Sequence, residues 1–360
     1  MFVSRDTFVT MQDQVSGRAR AGNGGRVAAR PTIHDVAADA GVSAMSVSRV
    51  LNGGGNVSAE MTRRVLRSVK KLGYSRNENA RSIRPGQRSG LIGLIVTNID
   101  NPYYAQVVLG VEDGMDKAGR RILIGTSHGD VTKERTLVRD FLGRQVEGLV
   151  VVPTGGDEGF LDPAKLGGVP IVLASREQPK VGADTVVIDD VGGTVRGVAE
   201  LISRGHRRIG FLGNDASVST SQRRFEGFTQ ALRDAGLSVA DDLVRRDCRD
   251  VESAREATMG LMALANPPTA VVCANNQVSV GALLVLVPHH RADPDVPPVE
   301  LLGVDDFTMS ELIQHPLTII DHDGRELGQA AAELLRVRLE GMGGPGPMRL
   351  LMPTAVRRLV

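Results

Sequence analysis

The sequence predicts a small all-α head followed by an α/β core of two doubly wound parallel-sheet subdomains. Three observations support this fold class. Residues 32–52 contain two short helical patterns joined by a tight turn, which is a helix-turn-helix arrangement. From residue 91 onward, apolar runs alternate with helical patterns, as in parallel sheets covered by helices. The 360 residues exceed one ordinary domain, and an apolar share of 41% is enough for two or three packed cores.

The first helix of the head is predicted to begin after Thr32. Thr32 can cap a helix, and Asp35 stands three residues later, at the spacing of a capping box. Apolar residues at positions 33, 36, 37 and 40 fall on one helical face, which we interpret as the core face. Gly41 follows, where a residue with positive φ ends a helix at little cost.

The second helix of the head is predicted to begin at Ser43, with positions 47, 50 and 51 facing the first helix. The N-terminal half of such a helix enters the major groove of DNA. Arg49 is the best candidate for a bidentate contact to a guanine edge, and Ala44 and Met45 can contact thymine methyl groups. Contact of Arg49 with phosphate alone is the open alternative, because phosphate and sugar take roughly half to two-thirds of protein–DNA hydrogen bonds.

The segments around these two helices are less regular. Ser58 can cap a third helix that ends at Gly73 and carries basic residues on its outer face. Residues 77–84, NENARSIR, span only about two helical turns, so we expect a helix there only when something packs against it. Residues 1–30 have no periodicity, which predicts a disordered N-terminal tail.

Charge is distributed unevenly along the chain. Residues 1–90 hold 15 Lys and Arg against 6 Asp and Glu, whereas residues 91–360 hold 28 against 36. A basic head attached to an acidic body is typical of a nucleic-acid-binding protein with a separate control domain. Double-stranded DNA is therefore the expected partner of the head.

Polar residues follow the predicted strands of the core, where ligands bind in open α/β sheets. Such groups converging from two lobes, together with an aromatic pair, suit a small polar ligand such as a sugar. Any one of them could equally be a locally satisfied loop or cap residue. The positions are 98–104, 126–130, 175–176, 214–224, 275–276, 305–306 and 321–323.

Several motifs resemble the lac repressor/gal repressor (LacI/GalR) family of bacterial transcription regulators: TIHDVAADAGVSAMSVSRVLN, VSAEMTRRV, KKLGY followed by NENARSIR, and GLIGLIV. The resemblance extends from about Thr32 to the C-terminus. It implies a DNA-binding head at 31–75, a hinge helix and linker at 76–87, and an effector-binding and dimerisation core at 88–360. The core would be a periplasmic-binding-protein-like pair of subdomains with crossovers near Ile188, Leu317 and Leu339.

The resemblance also implies that the hinge helix folds at the operator, pairs with its dimer mate and wedges an apolar side chain into the minor groove. Ile83 stands where the family usually has Leu, but an inserted Ile can also unstack a base step. Arg76 replaces a usual Pro. The predicted DNA-contacting residues are Thr32, Ser43, Ala44, Met45, Ser46, Ser48, Arg49, Asn52, Asn77, Ala80, Arg81 and Ile83.

By the same resemblance, the effector contacts fall in the motifs NPYY, SRE, RFEGF, ANN, VDD and IDHD. Ser175 replaces a common Asp and His322 stands where Gln is frequent, so the effector's identity does not follow from a better-known member. The predicted contacts are Tyr103, Tyr104, Arg176, Arg224, Asn275, Asp305 and His322.

We therefore expect a sequence-specific DNA-binding transcriptional regulator, a repressor controlled by a small polar, sugar-like effector in the cleft between the core subdomains. A homodimer on a roughly palindromic operator is expected, and the absence of a heptad tail favours a dimer over a tetramer. A purine-type corepressor mode, in which the ligand tightens DNA binding, is the alternative within this class. A secreted solute-binding protein would share the core but lack the head.

One enzyme motif needs to be weighed. Residues 125–129, GTSHG, match G-x-S-x-G after a strand, and Asp305 and His322 follow in the Ser…Asp…His order of a hydrolase. The motif follows only the second strand of the core, whereas hydrolases carry this turn well into their sheet. We therefore expect that the protein is not an enzyme. The sequence has no P-loop, no G-x-G-x-x-G after a strand and no zinc motif, so no cofactor or metal is expected.

The low cysteine content and the lack of long apolar runs indicate the compartment of the protein and its relation to membranes. Cys248 and Cys273 give no disulfide framework, which suggests a reducing compartment and two small buried hydrophobes. No apolar run approaches the ~20 residues of a membrane span, and no signal-peptide segment is evident. A cytoplasmic protein with no membrane contact is expected.

Overall fold

The structure, a computed structural model, describes residues 31–51, 57–75, 89–157 and 159–359. The chain divides into two compact units, Met1–Glu78 and Asn79–Val360. The predictions made for the 1–30 tail, for Asn52 and for the 76–87 hinge, with Asn77, Ala80, Arg81 and Ile83, lie outside the described residues.

The head contains α1 (Ile33–Ala40), α2 (Ala44–Leu51) and α3 (Ala59–Leu72). Thr32 caps α1 in a capping box with Asp35, and Gly41 ends it at φ 63°. The Ser43 hydroxyl accepts the Ser46 amide at 3.1 Å, and Ser58 accepts the Met61 amide in the same way. These caps confirm the predicted helix boundaries.

A small apolar core holds the three head helices together. Val36 and Ala40 of α1, Val47 of α2 and Val65 of α3 are buried against one another. The predicted inward face of α2 is confirmed, since positions 50 and 51 also pack on this cluster. Full burial of each valine side chain contributes about 1.5–3 kcal/mol, so these contacts stabilise the packing of the three helices.

The first subdomain of the core is built on a six-stranded parallel sheet in the order β11-β5-β4-β3-β1-β2. Its strands are almost continuously apolar, as expected for a parallel sheet covered on both faces. The elements are β1 (Leu91–Val96), α4 (Pro102–Lys117), β2 (Arg121–Thr126), α5 (Val131–Gly143), β3 (Gly148–Val151), β4 (Ile171–Ala174) and β5 (Asp184–Ile188), joined later by α10 (Gly324–Leu339) and β11 (Arg349–Met352).

The second subdomain repeats this plan in the order β12-β10-β9-β8-β6-β7, with β12 antiparallel to its neighbour. Two doubly wound parallel-sheet subdomains are therefore confirmed. The elements are α6 (Asp190–Ser203), β6 (Ile209–Leu212), α7 (Ser219–Asp234), β7 (Val244–Arg245), α8 (Val251–Met262), β8 (Ala270–Cys273), α9 (Asn276–Ala292), β9 (Glu300–Val304), β10 (Leu317–Asp321) and β12 (Ala355–Arg358).

The chain crosses between the subdomains three times, and only the crossing next to Ile188 lies at its predicted position. Leu317 begins β10, and the second crossing comes after that strand, at 322–323. The expectation at Leu339 is wrong, because β11 still pairs with β5 and the third crossing is at 353–354. Helix α10 stays in the first subdomain by packing tightly on α4, where a Cβ on Gly110 would lie 2.1 Å from the Arg325 carbonyl oxygen.

The two cysteines are unpaired and fully buried in the second subdomain, which confirms the interpretation of both as small buried hydrophobes. Burial raises the pKa of the Cys248 thiol to about 11. In the part of the chain that the structure describes, no helix is both long enough and apolar enough to cross a bilayer.

Candidate nucleic-acid interface and ligand cleft

The outer face of α2 presents an apolar side chain and a cation together. The Met45 side chain is 66% exposed, and the exposed Arg49 guanidinium lies beside it, with Nη2 3.8 Å from Sδ. Among the described residues Arg49 forms no ion pair. This pair can offer a base edge both a bidentate donor and an apolar surface.

The other predicted residues of the head are placed less favourably. Ala44 is wrong as an outward-facing residue, because it lies three positions before Val47 and packs on the head core. The Thr32 hydroxyl is engaged with Asp35 in the α1 cap, and the Ser43 and Ser46 hydroxyls lie 2.9 Å apart at the start of α2. Ser48 is half-buried. Their contacts with DNA stay predictions.

The outer face of α3 adds a basic surface to the head. Lys71 pairs with Asp39 of α1 at 2.6 Å, an exposed bridge of little energetic weight. Exposed cations of this kind are the groups that neutralise phosphates. They are Arg63, Arg64, Arg67, Lys70 and Lys71.

A cleft of about 670 Å³ lies at the carboxyl ends of the strands of both core subdomains. Its size falls within the range of about 300–1,000 Å³ that small-molecule sites occupy. Six of the seven predicted effector contacts line it: Tyr103, Tyr104, Arg176, Arg224, Asn275 and Asp305. His322 does not line the cleft. Lining residues that the sequence reasoning missed include Thr154, Arg249 and Gln277.

A buried charge cluster forms the floor of the cleft. The Arg224 Nε donates to Asp190 Oδ1 at 2.7 Å, and its Nη1 donates to the Ala274 carbonyl at 2.5 Å and lies 3.7 Å from Asp305 Oδ2. The side chains of Arg224, Asp190 and Asp305 are 7%, 1% and 7% exposed. Burial raises the pKa of Asp190, while the two carboxylates outweigh the effect of burial and raise the pKa of Arg224.

Several buried polar atoms of this cluster have no hydrogen-bond partner among the described residues. They are Asp190 Oδ2, Asp305 Oδ1 and both ring nitrogens of His322. His322 lies behind the cleft, with Nε2 3.5 Å from Asp305 Oδ1 and its ring 5.0 Å from that of Tyr103. Burial lowers the pKa of His322, so the imidazole is neutral at neutral pH. Each unsatisfied buried group costs about 1–3 kcal/mol.

The aromatic pair at the start of α4 connects this floor to Arg176. The Tyr103 hydroxyl lies 2.6 Å from Ser175 Oγ, and the Tyr104 hydroxyl accepts from Arg176 Nη2 at 3.0 Å. The two tyrosine rings are 5.1 Å apart in an edge-on arrangement. Burial raises the pKa of Tyr103, so its hydroxyl remains protonated.

Backbone strain is concentrated around the cleft. Five non-glycine residues among those described have positive φ, and three of them, His128 (54°), Ser175 (64°) and Asp305 (65°), line the cleft. Such conformations cost of order 1–3 kcal/mol each and cluster at functional sites. They turn the side chains that follow β2, β4 and β9 toward the ligand space.

Two polar bridges join the subdomains beside the cleft. Asn101, the cap of α4, and Asn276, the first residue of α9, exchange two amide hydrogen bonds of 2.9 Å and are both buried. Arg223 of α7 pairs with Glu177 of the first subdomain at 2.6 Å. Asn275 beside Asn276 caps α9 by accepting the Val278 amide at 3.0 Å. The relative position of the lobes is thus held by specific side chains.

The G-x-S-x-G match does not form a hydrolase site. Ser127 is buried, its hydroxyl donates to the Val96 carbonyl at 3.4 Å, and β2 is the edge strand of its sheet. The neighbouring His128 instead places Nε2 3.2 Å from Thr126 Oγ1. A serine held in this way cannot serve as an accessible nucleophile.

Comparison with known proteins supports both parts of the chain. The family described as bacterial regulatory proteins, lacI family, matches residues 32–77, and that described as periplasmic binding proteins and sugar binding domain of LacI family matches residues 89–343. The regulator GalR of Escherichia coli is 30% identical over 91% of this chain and 94% of its own length.

Two solved structures share the same architecture. The lac repressor dimer bound to operator and an anti-inducer aligns with a TM-score of 0.76 at 26% identity, over 91% of this chain and 98% of that one. The regulator CelR in complex with cellobiose aligns with a TM-score of 0.68 at 29% identity, over 91% and 99%. With its helix-turn-helix head and two-lobed ligand-binding core, the chain belongs to the LacI family of bacterial transcription regulators.

Proposed function

We propose that this chain is a cytoplasmic, homodimeric repressor that releases its operator when a sugar-like effector binds in the cleft. The observation that carries this proposal is the buried Arg224–Asp190–Asp305 cluster, of which Arg224 and Asp305 line the cleft, in a chain that also has a helix-turn-helix head. Donor-rich ligands such as sugars suit such a floor.

In the head, Arg49 is the proposed base-reading residue, with Met45 beside it as the apolar contact. Thr32 and Ser43 cap α1 and α2, and Ser46 and Ser48 lie within α2; their hydroxyl groups are suited to phosphate contacts. Asn52, Asn77, Ala80, Arg81 and Ile83 complete the proposed DNA contacts. Two heads related by a two-fold axis require a roughly palindromic operator, and the lac repressor dimer on its operator supports this arrangement.

In the cleft, the proposed effector lies between the Tyr103–Tyr104 pair and the charge cluster. Arg224 can donate to one hydroxyl while the Asp305 carboxylate accepts from the neighbouring hydroxyl, since both residues line the cleft. Arg176 and Asn275 supply polar contacts from the two sides. The cellobiose complex of CelR supports a carbohydrate ligand.

The proposed switch is a change in the relative position of the lobes, since each ligand-contacting element belongs to one lobe and the chain crosses between them three times. Such coupling needs only about 1–3 kcal/mol, or roughly 5–150-fold in operator affinity. In the corepressor alternative, ligand binding at the same site would raise the operator affinity instead of lowering it.

The test begins by selecting preferred sites from random double-stranded DNA with the full chain. We expect a roughly palindromic site, bound with an affinity that falls by about 5–150-fold when a sugar from a screened set is added, as measured by fluorescence anisotropy. A ligand that tightens binding would establish the corepressor mode instead. Binding without sequence preference would refute the proposal.

A further inference from the structure

The outer end of the cleft carries an arginine, Arg176, that is not paired with a carboxylate among the described residues. Among the described residues Arg176 forms no ion pair: Nη1 donates to the carbonyls of Pro153 at 2.9 Å and Thr154 at 3.4 Å, and Nη2 donates to the Tyr104 hydroxyl at 3.0 Å. Three of its five N–H donors are used, so one on Nε and one on Nη2 remain. Arg176 is therefore a half-buried cation with neutral partners and spare donors.

Arg249 brings a second cation to the same end of the cleft. The loop of Thr154 and Gly155 touches Ser217, since a Cβ on Gly155 would lie 2.7 Å from the Ser217 carbonyl oxygen. The Asp215 carboxylate accepts a hydrogen bond from the Ser217 amide at 2.8 Å. This bond is the main cause of the lowered pKa of Asp215, and the nearby Arg249 lowers that pKa further. Arg249 is exposed and, among the described residues, forms no ion pair.

The two ends of the cleft thus have opposite chemical requirements. At the floor, Arg224 is already matched by Asp190 and Asp305, and the Asp305 carboxylate, which lines the cleft, is an acceptor for ligand donors. At the outer end, Arg176 has spare N–H donors that need acceptors, and Arg249 adds a second cation near the Asp215 carboxylate. A volume of about 670 Å³ holds a ligand that reaches both.

We propose that the effector is an anionic sugar, whose carboxylate or phosphate binds Arg176 and Arg249 while its hydroxyl groups bind Asp305 and Arg224. This inference rests on the proposed role of the cleft as the effector site. The planar guanidinium matches a carboxylate or a phosphate with two parallel hydrogen bonds. A neutral sugar would leave the spare donors of Arg176 without a charged partner.

The test uses matched probes and isothermal titration calorimetry on the full chain. Glucose, glucuronate and glucose 6-phosphate differ only at C6, and galactose offers the same series; ribose and ribose 5-phosphate make a third. We expect at least one anionic member to bind about tenfold or more tightly than its neutral parent, with a preference that shrinks as salt is raised. If the sugar acid binds more tightly than the sugar phosphate, the effector is a sugar acid. The reverse order of affinities indicates a sugar phosphate. Neutral parents that bind as tightly as their anionic partners, or anionic members that all fail to bind, would overturn the inference.

Variants then locate the anionic group. Arg176→Gln should weaken the anionic probe by about ten- to a hundredfold, which is clearly more than it weakens the neutral parent. Arg249→Gln removes an exposed side chain and should weaken the same probe by about two- to fivefold. Arg291→Gln, an exposed arginine at the end of α9, is the matched control and should change nothing. Unchanged preference in both cleft variants would refute the assignment, even if Arg176→Gln proves unstable, because Arg249→Gln remains informative.

Operator binding by the same protein preparations distinguishes a failure of this inference from a failure of the proposed function. A chain that lacks sequence-specific DNA binding refutes the proposed function. A chain that binds its operator and responds to a neutral sugar alone refutes only the anionic effector.

Discussion

The outer face of α2 and the floor of the cleft both depend on an arginine, in opposite electrostatic settings. Arg49 is exposed and, among the described residues, has no carboxylate beside it, whereas Arg224 is 7% exposed and lies between two carboxylates. DNA supplies its own negative charge, so a DNA-reading arginine is best left uncompensated until it binds. A buried arginine must be neutralised within the fold before any ligand arrives. The same side chain is therefore a free binding group in the head and part of the folded framework in the core.

The largest expected effect comes from breaking the framework in the core. Arg224→Met leaves Asp190 and Asp305 buried without their cation, and the free energy of unfolding should fall by about 3–5 kcal/mol, as measured by urea denaturation. The loss should shrink at mildly acidic pH, because burial already raises the pKa of Asp190 and its protonation removes one unpaired charge. Arg291→Met is the control. A loss below about 1 kcal/mol would show that the cluster does not hold the fold.

Removal of the free arginine should have the complementary effect. Arg49→Ala should weaken operator binding by about 1–3 kcal/mol and relax the preference at one base position. Stability should change by no more than about 0.5 kcal/mol, since the side chain is exposed. Arg139→Ala, an exposed arginine of α5, is the control for anisotropy measurements. An equal loss on every DNA sequence would mean that Arg49 contacts only phosphate.

A double-mutant cycle on the two asparagines that bridge the lobes tests whether their hydrogen bonds stabilise the core cooperatively. Asn101→Ala and Asn276→Ala should be non-additive in the free energy of unfolding by about 0.5–3 kcal/mol, because either change alone breaks both hydrogen bonds. The cycle corrects for the α4 cap that Asn101→Ala also removes. Asn101→Ala with Asn266→Ala, an exposed loop residue, should be additive. Additivity in the first pair would contradict a bridge.

The smallest expected effect concerns the histidine behind the cleft. Burial lowers the pKa of His322 below its ordinary value of 6.5, with Asp305 opposing the shift. Below about pH 6.5 the unfolded chain therefore binds more protons than the folded chain, and stability falls as pH decreases. The fall in Tm between pH 7.5 and 5.5 should be smaller in His322→Gln, and unchanged in the exposed control His289→Gln. Some decrease should persist, because burial also lowers the pKa of His315. An identical fall in His322→Gln and its parent would contradict this account.

The head was predictable because its signals are local. The capping residues Thr32, Ser43 and Ser58 and the terminal Gly41 and Gly73 each act within one helical turn, and the structure keeps all of them. Ala44 was wrongly predicted to face outward because the N-terminal half of α2 was assigned to the DNA groove as a whole, whichever side of the helix each residue occupies. A residue three positions before the buried Val47 shares its face.

The core was predictable as a class but not in all its parts. Strands such as Leu91–Val96 are continuous apolar runs, which the sequence displays directly. The crossover positions were less predictable, because α10 packs tightly on α4 through small residues, as at Gly328, where a Cβ would lie 2.3 Å from the Val107 carbonyl oxygen. This packing keeps α10 and β11 in the first subdomain, which is why the crossover expected at Leu339 was wrong.

The sequence alone determined that a basic helix-turn-helix head precedes two parallel-sheet lobes, and that polar residues end the strands, since both follow from local pattern and strand direction. Only the tertiary structure decided which of those residues share the cleft. It brought Asp190 and Arg224 into contact across two helices, recruited Thr154 and Arg249 from different lobes, and placed His322 behind Asp305. Burial and pairing of charges depend on distances across the fold, which spacing along the chain does not contain.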